Sequence, residues 1–351
     1  MNKNIQLIAF YLPQYYEIEF NNINWGKGHT EWTDAANAKP LFKGHYQPHV
    51  PADLGFYNLL MPEAREAQAH LAKEYGVDGF CYWHYWFGNG ETIMEKPFQA
   101  VLECGKPDFP FCLCWANHTW HKPKTSKIIL EQKYFGEKDH IKHFSYLLPA
   151  FKDSRYIKIN NKPIFSVFNI ASIPNANEYI KLWNELAIKE GFNGIYFIAL
   201  AQNPNEYKKT SEFNINAINI IRLNDFLQYR TYIQDKIKYI FSDIHKYKYE
   251  EASKYFISPE DLKEQNIPTI IPGWDHSPRG GKKSLILTDY TPETFENHLH
   301  DAFKLLSKKK NKLCFIKAWN EWGEGNHLEP DLKYGLAFLE TLKRVKEQYL
   351  K

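Results

Sequence analysis

Pro62 to Trp86 reads PEAREAQAHLAKEYGVDGFCYWHYW. A helical stretch, Pro62 to Tyr75, gives way to an apolar, aromatic run from Gly79 to Tyr85 with the composition of a strand. A second helical stretch, Ile93 to Glu103, follows. The same unit recurs along the chain. Further apolar runs are Gln6 to Leu12, Phe111 to Asn117, Pro163 to Phe168, Gly194 to Leu200, Ala217 to Leu223, Pro268 to Trp274 and Leu313 to Trp319, eight runs in all. Between them fit helices at Lys138 to Phe151, Asn177 to Glu190 and Pro292 to Ser307, with a terminal one from Gly335 to Tyr349. Pro292 falls at the first turn of its helix, where a missing N–H costs nothing.

Strands alternating with helices predict a parallel sheet with helices outside it, and eight units close a (β/α)8 TIM barrel. One barrel domain, residues 1–351, accounts for the length. The excess over a minimal barrel lies in two loops, Pro13 to Tyr57 and the Tyr/Lys-rich insertion Asn224 to Ser258, which extend the catalytic face. The sixth run and the helix after it carry the weakest pattern. An open doubly wound sheet is the alternative, but no Gly-rich phosphate loop follows the first strand.

Composition narrows the function. Hydrophobic residues at 44% and charged residues at 24% describe a globular chain rather than a disordered one. A net charge of +3 leaves no field to hold nucleic acid or an anionic membrane. No apolar run approaches the roughly 18 residues that span a bilayer, and Ile5 to Phe10 continues without a cleavage site, so a soluble, cytoplasmic protein is expected. Of five cysteines, four sit in apolar runs and read as buried free thiols. Cys112-Leu113-Cys114 has no second pair, and His118-x-x-His121 and His45-x-x-x-His49 lack a suitably placed carboxylate, so neither a metal nor another cofactor is expected.

Aromatic residues reach 16% of the chain, and seven of the ten Trp stand at strand ends; Trp25 and Trp32 lie in the first long loop. Barrel active sites lie at the carboxyl ends of the strands. There the runs close in Tyr11 with Gln14, in Tyr82, Trp83 and His84, in Trp115 and Asn117, in Trp274 and Asp275, and in Trp319-Asn320-Glu321-Trp322-Gly323-Glu324-Gly325. Flat rings edged with amides, imidazoles and hydroxyls suit a sugar, although each Trp alone could equally fill the top of the barrel. Glu321 and Glu324, flanked by Trp319 and Trp322, form an acid pair able to supply both a proton acceptor and a proton donor. Two carboxyls in one half-apolar pocket do not both ionise easily, so one should keep its proton near neutral pH. Glu329 is a third acid, placed to bind a hydroxyl or to orient His327, and His49 reads as a hydroxyl-binding or structural histidine.

These segments resemble a known family. Phe10-Tyr11-Leu12-Pro13-Gln14, Trp25-Gly26 with Glu31-Trp32, His45 to His49, Gly79 to Trp86, Trp115-Ala116-Asn117 and Trp319 to Gly325 with Glu329-Pro330 are similar to the WbsX-like family over most of the chain. Its members occur in polysaccharide and lipopolysaccharide gene clusters and are often named glycosyltransferases. The Asn320-Glu321-Trp322 to Gly325 segment also resembles glycoside hydrolase family 99, the endo-α-mannosidases and endo-α-mannanases, which are (β/α)8 barrels. That resemblance implies Glu321 as base on the sugar 2-hydroxyl and Glu324 as acid on the leaving oxygen, with retention through a 1,2-anhydro sugar. Gly323 stands where family 99 commonly has His.

Three classes of function are therefore in play. A glycoside hydrolase acting on a bacterial poly- or oligosaccharide is the first. The second is a glycosyltransferase, of a kind that does without the Asp-x-Asp triplet this chain lacks. The third, a sugar-binding protein without catalysis, has no need of both acids.

Overall fold

The computed structural model describes residues 4–122, 127–229 and 244–349. Eight parallel strands close into a barrel: β1 (Gln6–Tyr11), β2 (Gly79–His84), β3 (Phe111–Trp115), β4 (Lys162–Val167), β5 (Tyr196–Ala201), β6 (Ala217–Ile220), β7 (Asn266–Ile270) and β8 (Leu313–Ile316). Leu7 pairs with Cys314 and Leu113 with Phe165, which joins β1 to β8 and β3 to β4 and leaves no edge within the ring. Each of the eight expected runs contains or overlaps one of these strands. The runs extend past the last paired residue because the chain stays buried as it turns into the loop: Trp319 and Ile271 are fully buried.

Alternation along each strand divides the aromatics between two layers. Phe10 stacks on Phe315 and Trp83 inside the barrel, with ring centroids 5.0 and 4.9 Å away. Phe165 meets Trp183 of the helix Ala176–Lys189, outside it, at 4.9 Å. Cys81, Cys112, Cys114 and Cys314 are buried free thiols and Cys104 is exposed, as their sequence context implied.

The outer helices Pro62–Glu74, Lys96–Cys104, Glu137–Lys152, Ala176–Lys189, Pro292–Ser307 and Ala337–Gln348 match the expected ones to within a turn. Thr291 caps Pro292–Ser307 through the N–H of Thr294. A short helix, Pro204–Thr210, fills the β5 to β6 connection, where none was expected; Asn203 caps it through the N–H of Glu206. Between β6 and β7 the described residues hold the short strand His245–Lys248, the five-residue helix Tyr249–Ser253 and two short 3-10 turns, and much of the Tyr/Lys-rich insertion lies outside the described residues. No helix among the described residues is long and apolar enough to cross a membrane.

Candidate active site

The loop after β8 is fixed from several sides, and this sets the direction of its carboxylates. Asn320 accepts from the Leu12 N–H at 2.7 Å and donates to the Leu12 carbonyl at 3.0 Å, tying the loop to the end of β1. A single 3-10 turn, Trp322–Glu324, follows, and Gly325 closes it in the left-handed region at φ 57°. A Cβ at Gly325 would stand 2.8 Å from that of Asp275, so only glycine fits. The Glu324 carbonyl accepts from the Asp275 N–H at 2.7 Å, binding the turn to the loop after β7.

Beneath the turn Trp322 lies flat on His327, with centroids 3.6 Å apart, and donates its indole N–H to Glu329 at 2.7 Å. Glu329 also accepts from Gln68 at 2.7 Å and from Tyr57 at 2.9 Å. Burial pushes its carboxyl up to about 7, against the pull of these donors. Glu329 thus anchors the turn from below.

On the upper side Glu321 and Glu324 share one ammonium. Lys317 Nζ lies 3.2 Å from Glu321 Oε2 and 3.3 Å from Glu324 Oε2. Arg279 reaches Glu324 Oε1 at 3.0 Å with one arm and Glu31 Oε2 at 2.6 Å with the other. The second oxygen of Glu31 accepts from the Gly323 N–H at 2.6 Å. Trp83 donates its indole N–H to Glu321 Oε1 at 3.2 Å, and Lys317 sits 5.2 Å above the Trp274 ring.

The charges close on themselves. Burial pushes the Glu321 carboxyl up to about 7, and the neighbouring Glu324 adds to that push. Burial acts on Glu324 in the same sense, but Lys317 and Arg279 outweigh it and hold that carboxyl at about 2. The acids interact strongly enough to titrate as one unit, which keeps one proton near neutral pH. That proton rests on Glu321. With it in place, Lys317 and Arg279 face the two anions Glu31 and Glu324, and the buried cluster is neutral.

Lys317, Arg279 and Glu31 were missed in the sequence. Lys317 left a signal, a lone charge inside the apolar run Leu313 to Trp319. Arg279 left none, because a loop arginine is ordinary. Gly323 left a signal that becomes readable only in the structure: a Cβ there would stand 2.6 Å from Glu31 Oε1 and 2.8 Å from Arg279 Nε. The bare position makes room for this ion pair.

The expected binding residues separate into two sets. Gln14, Trp25, Trp32, Trp83 and Trp274 keep part of their surface open. The others are buried, and neighbouring side chains or backbone groups engage them. Tyr11 and Tyr82 lean together at 4.5 Å and face the helices, with Tyr11 donating to Gln68 and Tyr82 packed on Phe98. Trp115 meets His143 of the helix Glu137–Lys152 at 4.8 Å, and His84 pairs with the same His143 at 2.8 Å. Asn117 grips both backbone groups of Asn169, clamping the end of β3 to the end of β4. Asp275 is held by His45 and Gln47 at 2.7 Å each, and Trp322 and Glu329 lie under the turn.

His49, His327 and Asp331 bring possible ligand atoms within 4.8 Å of one another. Their nitrogens are already engaged: His49 Nδ1 meets His327 Nε2 at 2.9 Å, Tyr290 donates to His49 Nε2 at 2.8 Å, and His327 Nδ1 donates to the Glu329 carbonyl at 2.8 Å. Burial lowers the pKa of both imidazoles. Two neutral rings joined by hydrogen bonds serve as a structural relay, and His49 belongs to it.

The sequence model of the family described as Glycosyltransferase WbsX matches residues 7–342. The chain belongs to that family. Among curated relatives of this WbsX-family chain are two proteins named uncharacterized protein WxcX, from Xanthomonas campestris pv. campestris strains B100 and ATCC 33913. They are 28% and 29% identical over 97% of this chain, which spans about half of their length, 49% in each case. Among solved structures, the GH99 endo-alpha-mannosidase from Bacteroides thetaiotaomicron superposes with a TM-score of 0.61 at 14% identity, covering 100% of this chain and 98% of that one. A glycoside hydrolase-like protein gives 0.62 at 16% identity, over 98% of this chain and 94% of that one. At such identities the likeness concerns the fold.

Proposed function

We propose that this chain is a glycoside hydrolase that cleaves a bacterial poly- or oligosaccharide with retention of configuration, using the substrate's own 2-hydroxyl as nucleophile. The observation that carries the reading is the acid pair: two carboxyls bound to one ammonium, at the carboxyl end of the barrel, sharing one proton near neutral pH. The endo-alpha-mannosidase named among the similar folds supports it, as does Trp83, whose half-open ring offers a flat face beside Glu321.

Both acids stand on one short turn, so they meet neighbouring edges of a sugar rather than opposite faces. In this mechanism Glu321 takes the proton of the 2-hydroxyl, whose oxygen attacks the anomeric carbon as Glu324 protonates the departing oxygen. Water then opens the 1,2-anhydro ring, with Glu324 taking a proton from the water and Glu321 returning one to the 2-oxygen. In the empty site the proton lies on Glu321. A 2-hydroxyl donating to Glu321 favours its anionic form, and the proton passes to Glu324, which becomes the acid. The exchange leaves the total charge of the pair unchanged, and Lys317, within reach of both carboxyls, stays paired with whichever one is anionic.

The family's name favours a second reading, a glycosyltransferase of polysaccharide or lipopolysaccharide synthesis. Product analysis on bacterial polysaccharides, beside calorimetry with nucleotide sugars, separates the two. New reducing ends without nucleotide binding are expected. Tight binding of a nucleotide sugar with no release of reducing ends would overturn the hydrolase reading.

A further inference from the structure

A cavity of about 720 Å³ opens next to Asp275, and its walls come from catalytic-face loops. Phe42 and Tyr46 come from the loop after β1 and Lys246 from the loop after β6; Tyr290 comes from the loop after β7, and Lys333 with Tyr334 from the loop after β8. Two short strands, His245–Lys248 and Leu285–Thr288, pair in parallel to form one side. Asp275 lies in the wall toward the acid pair, where its N–H holds the Glu324 carbonyl, so the cavity and the acid turn are separated by one stretch of backbone.

The chemistry of the walls is aromatic and cationic together. Lys333 Nζ lies 4.5 Å from the centre of the Tyr46 ring and 4.6 Å from that of Tyr334, and Lys246 Nζ lies 4.2 Å above Phe42. No carboxylate among the described residues lies within ion-pair distance of Lys333; its ammonium is held by ring faces alone. Four lysines line the cavity against Glu251, Asp289 and Asp275. Asp275 is already satisfied by His45, Gln47 and the Ser277 N–H. Tyr46 stacks on His49 and also carries Lys333, so an anion that draws the ammonium away uncovers ring surface for the C–H face of a sugar. In (β/α)8 barrels the loops after the seventh and eighth strands are a recurrent site for phosphate.

We propose that this cavity binds a sugar residue bearing an anionic group, a carboxylate or a phosphate, with Lys333 as its counter-ion and Tyr46 and Tyr334 as its walls. The proposal rests on the carbohydrate reading of the acid pair and names its substrate class, an anionic saccharide whose charged residue lies beside the bond to be cleaved. The carboxylate belongs to a uronic-acid polysaccharide and the phosphate to a sugar phosphate, and two probes tell them apart.

The experiment measures binding by ligand-observed NMR titration of the full chain with glucuronic acid, glucose 1-phosphate and neutral glucose, in the wild type, Lys333→Met and Lys333→Arg. At least one anionic probe should bind about tenfold tighter than glucose; Lys333→Met should abolish that difference and Lys333→Arg should preserve it, the size expected for one charge-assisted hydrogen bond. The tighter of the two anions identifies the source. Equal affinity for all three sugars, or an anion preference that survives Lys333→Met, overturns the proposal. Because binding is read without turnover, a failure here leaves the hydrolase reading standing, and the absence of reducing ends in the product analysis leaves this cavity standing.

Discussion

Trp83 and Trp115 stand at the ends of adjacent strands, one register step apart: Trp83 pairs with Cys114, and His84 pairs with Trp115. Their positions in the sequence look alike, and their environments are opposite. Trp83 points into the barrel mouth, stacks on Phe10 and reaches Glu321. Trp115 points out, gives its N–H to the Trp86 carbonyl at 3.0 Å and packs on His143. A period of two decides which aromatic serves the site and which holds a helix to the barrel. The same rule sorts Phe10 from Tyr11 on β1. Composition concentrated the aromatics at one end of the barrel, and alternation assigned them to two layers.

The largest effects should fall on the inner layer's acids. Glu321→Gln and Glu324→Gln should fold normally and lose about 10²–10⁴-fold in rate, the usual contribution of general acid–base groups. A substrate whose leaving group needs no proton should partly rescue only Glu324→Gln. Equal rescue of both would mean that the roles are not divided as described.

Trp115→Ala should break the outer layer instead. Emptying that position should cost about 3–5 kcal/mol of stability in denaturant unfolding and leave KM nearly unchanged, as for a buried aromatic in a core. A rise in KM with intact stability would place Trp115 on the substrate after all.

The pH profile tests the shared proton. The upper pKa of the pair, carried by Glu321, lies at about 7, and the lower one, carried by Glu324, at about 2. In the proposed mechanism the singly protonated pair is the active form, so kcat/KM should be flat between about 2 and 7 and fall about tenfold per pH unit above 7 as the last proton leaves. A profile flat to pH 9 would contradict a pair that shares one proton. Smallest is the effect of a half-open ring: Trp83→Ala or Trp274→Ala should weaken sugar binding by about 0.5–1.5 kcal/mol beyond lost area, with the fold retained.

All eight strands were legible because each is a run of apolar residues buried on both faces, and the terminal runs even gave the barrel its closing pair. Pro292–Ser307 was legible to the residue, since Thr291 and Pro292 mark its start. Pro204–Thr210 was not, because a seven-residue helix with one buried side chain shows no periodicity. In the site, Glu321 and Glu324 were legible from their setting among tryptophans. Of their cations, Lys317 left only the trace of a lone charge inside an apolar run, and Arg279 left none, because its contacts to Glu324 and Glu31 span 45 and 248 residues and leave no local pattern. The two-layer split of the aromatics lay partly within reach, had alternation been carried through to the last residue of each strand.

The central claim, that the acid pair drives attack by the substrate's own 2-hydroxyl, is tested most directly by rates on a substrate deoxygenated at carbon 2, set beside its parent. The account predicts that the deoxy sugar still binds and is not measurably cleaved. Cleavage at the parent rate would show that another group is the nucleophile and would contradict the mechanism.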